Sequence, residues 1–130
     1  MRHIKYFEGF LGKPSDENCN ILYENDEIIL TKDHSLSENK IGFITYRFDE
    51  FQNEKALNIV FIILNNDKRS KGYGGKIMHI LNILAKENNC KYMHLEVLQS
   101  NKNAYNFYIK HGFKKYDYEL SFDLLYKEII

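Results

Sequence analysis

The chain has 130 residues, room for one domain with one core. It is 44% hydrophobic and 28% charged, and 18 Lys plus Arg balance 18 Asp plus Glu. This ordinary soluble composition excludes a nucleic-acid binder that relies on a global basic field, and no apolar stretch is long enough to span a bilayer.

The start, Met1-Arg2-His3-Ile4-Lys5-Tyr6-Phe7-Glu8, lacks the apolar core of a secretory signal. Apolar Ile4, Phe7 and Leu11 fall at helical spacing, which predicts a short helix over 3–11 weakened by Gly9 and Gly12. Residues 14–20 read as a loop. Residues 20–24 and 27–32 read as two strands around the turn Asn25-Asp26. A polar loop over 35–39 leads to a strand over 41–48, and 49–55 reads as a turn region. Residues 57–64 are apolar except for Asn58, the pattern of a strand buried on both faces.

Next comes Arg69-Ser70-Lys71-Gly72-Tyr73-Gly74-Gly75-Lys76, between that strand and a helix. Ile77, Ile80, Leu81 and Leu84 mark one stripe of the helix, and Asn88-Asn89 ends it. Residues 92–98 alternate, with Met93, Leu95 and Val97 on one face and Tyr92, His94 and Glu96 on the other. Ser100 or Asn101 caps a second helix with Ala104, Phe107, Tyr108 and His111 on one side and Gly112 at its C′ position. One or two strands over 113–126 close the chain. The whole is a single mixed α/β (α+β) domain over 1–130, with a βαβ unit over about 57–98.

A glycine turn between strand and helix leaves backbone N–H groups that favour a phosphate. It is not a nucleoside-triphosphate loop, since Lys76 is followed by Ile77 rather than Ser or Thr. It is not a dinucleotide fingerprint, since a third glycine is missing at position 77. Cys19 and Cys90 show no metal-ligand spacing, and no metal site is expected. One bridge between them stays open, and reduced thiols in a cytoplasmic protein are the expectation. Cys90 has no evident activating partner and is given no nucleophilic role.

A second motif decides between ligands. It runs Asn101, Ala104, Phe107, Tyr108, Gly112 and Phe113, downstream of Arg69, Gly72 and Gly74. With one helix and one strand between the two motifs, the chain resembles the GNAT superfamily of acetyl-CoA-dependent N-acetyltransferases over roughly residues 57 to 115. The resemblance implies a mostly antiparallel sheet with a βαβ cofactor-binding core. It implies that main-chain N–H groups of Arg69, Ser70, Lys71, Gly72, Tyr73, Gly74 and Gly75 hold the pyrophosphate of CoA, with positive charge from Arg69, Lys71 and Lys76. The pantetheine arm would lie along the main chain of Ile62 and Leu64, with Asn101 reaching it. Tyr108 would stand near the sulfur and protonate the departing thiolate. Bulky substitution of Gly72 or Gly74 is then expected to abolish CoA binding and leave the fold largely intact.

The sequence departs from that family in two places. Asn58 stands where some relatives carry a Glu base, and an amide takes no proton. His94 and Glu96 share a strand face and replace it as candidates, with Glu96 assigned as catalytic; Asp67 and Glu50 are loop alternatives. The N-terminal helical region is reduced, which leaves the acceptor side open or covered by a second copy of the chain. The expected function is acetyl transfer to a primary amine, from a small molecule or a peptide, by direct attack. A non-catalytic acyl-CoA-binding module of the same fold is the alternative. Acetylation of aminoacyl-tRNA, known in the superfamily, is disfavoured by the zero net charge.

Overall fold

The structure is a computed structural model that describes the backbone of residues 4–5, 19–24, 27–31, 40–64 and 73–130. Side chains are described for 44–62 and 74–130. In chain order the elements are β1 (Ile4–Lys5), β2 (Cys19–Glu24), β3 (Glu27–Thr31), β4 (Lys40–Phe51), β5 (Glu54–Leu64), α1 (Tyr73–Glu87), β6 (Tyr92–Leu98), α2 (Lys102–Lys110), β7 (Lys114–Glu119) and β8 (Phe122–Glu128). The strands form one sheet in the order β1-β3-β2-β4-β5-β6-β8-β7. β1 with β3 and β5 with β6 are parallel, and every other neighbouring pair is antiparallel. The mixed, mostly antiparallel sheet and the parallel β5-α1-β6 unit are as the sequence predicts.

Three local expectations are corrected. Residues 49–55 are not an extended turn region. β4 runs to Phe51, β5 begins at Glu54, and Gln52 and Asn53 alone make the turn at φ 52° and 64°. Two consecutive left-handed residues give the turn twist that matches a hairpin. The usual Asn-Gly or Asp-Gly signal is absent, so the sequence hides it. The helix predicted over 3–11 gives way at its start to strand: Ile4 and Lys5 pair with Ile28 and Ile29. A short helix containing glycine gains little on its own, whereas a ladder pairs the backbone groups at once. The loop expected over 14–20 gives way at its end to β2, which begins at Cys19. Its residues 14–18, the remainder of that helix, the loop expected over 35–39 and the turn Asn25-Asp26 lie outside the described residues.

The core lies on one side of the central strands. Ile44, Tyr46 and Phe48 from β4, Leu57 and Ile59 from β5, and Met93, Leu95 and Val97 from β6 pack with α1. The helix contributes the expected Ile77, Ile80, Leu81 and Leu84, and also Met78 and Ala85. Tyr108, Phe113 and Leu125 complete the same cluster.

Both helices end in the same way. After α1, Asn89 turns left-handed at φ 59°, its N–H reaching the Lys86 carbonyl while the Cys90 N–H reaches that of Ala85. After α2, Gly112 sits at φ 95°, its N–H donating to the Ile109 carbonyl and the Phe113 N–H to that of Tyr108. These are Schellman closures, which satisfy carbonyls that the last helical turn leaves without a partner. In α2 the hydrophobic contact that accompanies the motif is Tyr108 against Phe113, rings edge to face with centroids 5.5 Å apart. At the other end the Asn101 Oδ1 accepts the Ala104 N–H at 3.1 Å, which closes the first turn.

Replacing Gly112 with alanine forces a Cβ into a left-handed backbone. The expected cost is about 1–2 kcal/mol, read as a lower midpoint with unchanged slope in urea unfolding.

Candidate functional site

The sheet opens at its centre. Parallel pairing of β5 with β6 covers Ala56 opposite Tyr92, Leu57 opposite Met93, Asn58 opposite His94 and Ile59 opposite Leu95. Beyond Ile59 the two strands part. β5 continues along β4 to Leu64, and β6 continues along β8 to Leu98. The parting coincides with a bulge. Tyr46 faces Ile59 and Thr45 faces Phe61, so Val60 is one residue too many for the β4 ladder. A bulge of this kind bends and twists its strand. It also breaks the alternation of faces, since Ile59 and Ile62, three apart, both pack toward the core. Val60, Phe61 and, across the gap, Leu98 are left 39%, 38% and 44% exposed. Three large apolar side chains at the rim of one gap mark a surface that an apolar ligand can cover.

The face opposite the core carries a polar cleft of about 400 Å³ where the strands part. Its floor is a row across three strands, Arg47 opposite Asn58 and Asn58 opposite His94. Asp49, Val60, Glu96, Tyr116, Glu119 and Leu124 also line it. His94 Nε2 lies 2.8 Å from Asp49 Oδ1. Its ring stacks on Phe51, centroids 5.1 Å apart and planes 26° from parallel. Phe51 also contacts Tyr92, Tyr116 and Tyr126, so the imidazole rests on an aromatic wall. Arg47 Nε is buried and has no hydrogen-bond partner among the described residues. Tyr116 is held above the ordinary phenol range by partial burial and by nearby carboxylates, Asp117 and Glu96 foremost.

Of the residues expected at the cofactor, Arg69, Ser70, Lys71 and Gly72 lie outside the described residues. Tyr73, Gly74, Gly75 and Lys76 are the first four positions of α1, so their N–H groups have no carbonyl within the helix to bond. No acidic side chain stands in that first turn, which suits an anion. Ile62 and Leu64 lie on β5 beyond the bulge, where β6 no longer flanks it. Asn101 is the N-cap of α2.

Glu96 lines the polar cleft, whereas Tyr108 does not. Tyr108 lies in the core against Phe107 and Phe113, where burial pushes its hydroxyl up to about 12. The two expected catalytic residues therefore belong to different surroundings. Cys90 is a free, buried thiol pushed up to about 11, chiefly by burial, which keeps it protonated and unreactive. Among the described residues no group of three His, Cys, Asp or Glu side chains is placed to hold a metal, and no helix is long and apolar enough to cross a membrane.

A family profile described as "Acetyltransferase (GNAT) family" matches residues 2–113. The chain belongs to the GNAT acetyltransferase family. It is 36% identical over 75 residues to N-alpha-acetyltransferase 50 of Danio rerio, covering 57% of this chain and 45% of that protein. Less than half of that relative is therefore spanned. Among solved structures, a chain of the NatC complex bound to Gag peptide and CoA superposes with a TM-score of 0.64. It is 21% identical, over 79% of this chain and 70% of that one. The PaiA N-acetyltransferase of Thermoplasma acidophilum in complex with coenzyme A gives 0.62 at 22% identity, over 72% and 57%. At such identities these likenesses speak for the fold. The GNAT sheet is thus present, opened between β5 and β6.

Sequence reasoning missed Asp49, Arg47, Phe51 and Val60. Reading 49–55 as turn hides Asp49 and Phe51, whereas Arg47 falls within the strand expected over 41–48 and shares a face with Asp49 only once that strand is continued to Phe51. The bulge leaves no mark in composition.

The structure also revises what the glycines do. A Cβ on Gly74 would come within 2.6 Å of Phe107 Cε1, so this glycine lets α2 pack against α1. A Cβ on Gly75 would meet only His111 Cε1, at an ordinary 3.8 Å. Gly74→Ala is therefore expected to destabilise the fold itself by about 1–3 kcal/mol. Gly75→Ala should be neutral or gain up to about 1 kcal/mol of helix propensity. Urea unfolding of both variants, and of Gly74→Ala with Phe107→Leu, checks this; the second change should restore much of the loss.

Proposed function

We propose that this GNAT domain transfers an acetyl group from acetyl-CoA to the α-amine of a peptide or protein, by direct attack on the thioester. The observation that carries this reading is the parting of β5 and β6 after Ile59 and Leu95. It leaves two facing strand edges whose N–H and C=O groups need partners. An arm built of amides, such as pantetheine, supplies them as an added strand would. The exposed Val60, Phe61 and Leu98 fit the apolar portions of such an arm. The first turn of α1 fits its pyrophosphate. Acetyl-CoA, as substrate, supplies an acetyl group already activated as a thioester.

Within that reading the main chain of β5 around Val60, Ile62 and Leu64 holds the arm. Gly74, Gly75 and Lys76 face the phosphates together with Arg69, Ser70, Lys71, Gly72 and Tyr73. Asn101 uses Oδ1 to cap α2, which leaves its amide nitrogen for the arm. Tyr108 takes the general-acid position beside the sulfur, acting mainly as a hydrogen-bond donor. With its hydroxyl at about 12 and an ordinary thiol near 8.5, full proton transfer to a thiolate is uphill by about 5 kcal/mol. Glu96, in the cleft, engages the acceptor amine.

The acceptor follows from proton chemistry and from the relatives. Deprotonating an α-amine at pH 7 costs about 1 kcal/mol, against roughly 4–5 kcal/mol for a lysine side chain. Asn58 gives the floor of the cleft no carboxylate to offset the larger cost. The names of the relatives, an N-alpha-acetyltransferase and a complex holding a peptide, point the same way.

Thiol release from acetyl-CoA is the direct test. Turnover is expected with peptides bearing a free α-amine, and it should fall in Tyr108→Phe with little change in acetyl-CoA affinity. Binding of acetyl-CoA without turnover for any amine would instead identify a non-catalytic acyl-CoA-binding module. Hydrogen exchange gives a second check: acetyl-CoA should protect backbone amides of residues 60–64 and 96–98 and leave those of β7 unchanged.

A further inference from the structure

We propose that His94, held by Asp49, is the group that takes the proton from the acceptor amine. The assignment rests on the acetyl-transfer reading above and names the base that reading lacks, since Asn58 cannot serve.

The geometry comes from three strands. Asp49 is on β4 and His94 on β6, with β5 between them. Strands two apart in a sheet are separated by about 10 Å, so the 2.8 Å contact bridges over β5. Asp49 stands opposite Ala56, and His94 opposite Asn58. The small Ala56 leaves room for the bridge. Both side chains are partly open to the cleft, at 16% and 27% exposure. The pair is part-buried and faces the cleft, not the hydrophobic core.

With Nε2 engaged by Asp49, the neutral ring donates Nε2–H to the carboxylate and keeps Nδ1 as its proton-accepting nitrogen. Stacking on Phe51 fixes the plane of the ring. The charged and titratable groups around it are Arg47 and Asp49 from β4, Tyr92 and Glu96 from β6, Tyr126 from β8, and Tyr116 and Glu119 from β7. β5 contributes the uncharged Asn58. Three carboxylates against one guanidinium make the cleft attractive to an ammonium group. Glu96, exposed on the part of β6 that has left β5, is placed to hold that ammonium, while His94 lies deeper, on the floor.

The proton balance closes. The ammonium gives its first proton to His94, which passes it to solvent. The freed lone pair forms the C–N bond, the C–S bond breaks with its electron pair going to sulfur, and the second nitrogen proton ends on the thiol.

The test measures kcat/KM against pH by thiol release, with acetyl-CoA and a peptide bearing a free α-amine, for wild type, His94→Gln, Asp49→Asn and Glu96→Gln. Acetyl-CoA affinity in each variant reports on folding. His94→Gln is expected to lose about 100-fold in kcat, to keep acetyl-CoA affinity and to lose the acid limb of the profile. Asp49→Asn should lower kcat while acetyl-CoA affinity and KM for the peptide stay near wild type, because the ring loses the carboxylate that fixes its tautomer and orientation. Glu96→Gln should raise KM and leave the limb in place. Retention of rate and limb in His94→Gln, or an unchanged kcat in Asp49→Asn, overturns the assignment. A wild type that binds acetyl-CoA but acetylates no amine overturns the acetyl-transfer reading itself, and the base with it. That failure appears before any variant is made.

Discussion

The structure depends on a parallel ladder that is only four residue pairs long. β5 and β6 hold each other from Ala56 and Tyr92 to Ile59 and Leu95, and then separate. The separation is affordable because each strand keeps its other edge. β5 remains paired with β4 to Leu64, and β6 with β8 to Leu98. Only one edge of each strand loses its partner, at the point where Val60 adds a residue that β4 cannot match. Backbone groups left open between two fixed strands are a standing demand for hydrogen bonds. Water meets that demand loosely, whereas an amide-bearing ligand meets it in register.

The second constraint is the closure of α2. Asn101, Ala104, Tyr108, Gly112 and Phe113 are the residues whose spacing first pointed to the family, and the structure gives most of them a structural task. Asn101 caps, Ala104 donates to it, Gly112 supplies the left-handed turn, and Phe113 packs on Tyr108. Gly74 then lets the ring of Phe107 approach α1. The signature is therefore in large part a code for fixing a nine-residue helix against the first turn of another. Holding that first turn still fixes the direction of N–H groups that have no carbonyl within the helix to bond, so fold and ligand arguments meet in the same residues.

Legibility in the sequence followed the physics of each element. α1 was plain because its stripe recurs at helical spacing, and β6 because Met93, Leu95 and Val97 alternate with Tyr92, His94 and Glu96. Both helix ends were visible as Asn88-Asn89 and Gly112. The β4–β5 hairpin was not, because Gln52 and Asn53 adopt left-handed conformations without a glycine. That one misreading hid Asp49, and with it the partner of His94. The bulge at Val60 was invisible for a different reason: it is a relation between two strands, and neither strand alone records it.

The two faces of the sheet divide the chemistry of the proposed reaction unequally. On the core side Tyr108 is pushed up to about 12 by burial, a hydroxyl suited to staying protonated. A thiolate is a good leaving group, since an ordinary thiol titrates near 8.5, so sulfur needs only a hydrogen bond as it departs and takes its proton afterwards. Nitrogen asks for more, because an ammonium has no lone pair with which to attack. The costly proton is thus on the acceptor, and it must leave on the cleft side, where Asp49, His94 and Glu96 stand. An open sheet lets the two demands be met from opposite faces, with the thioester reached through the gap between them.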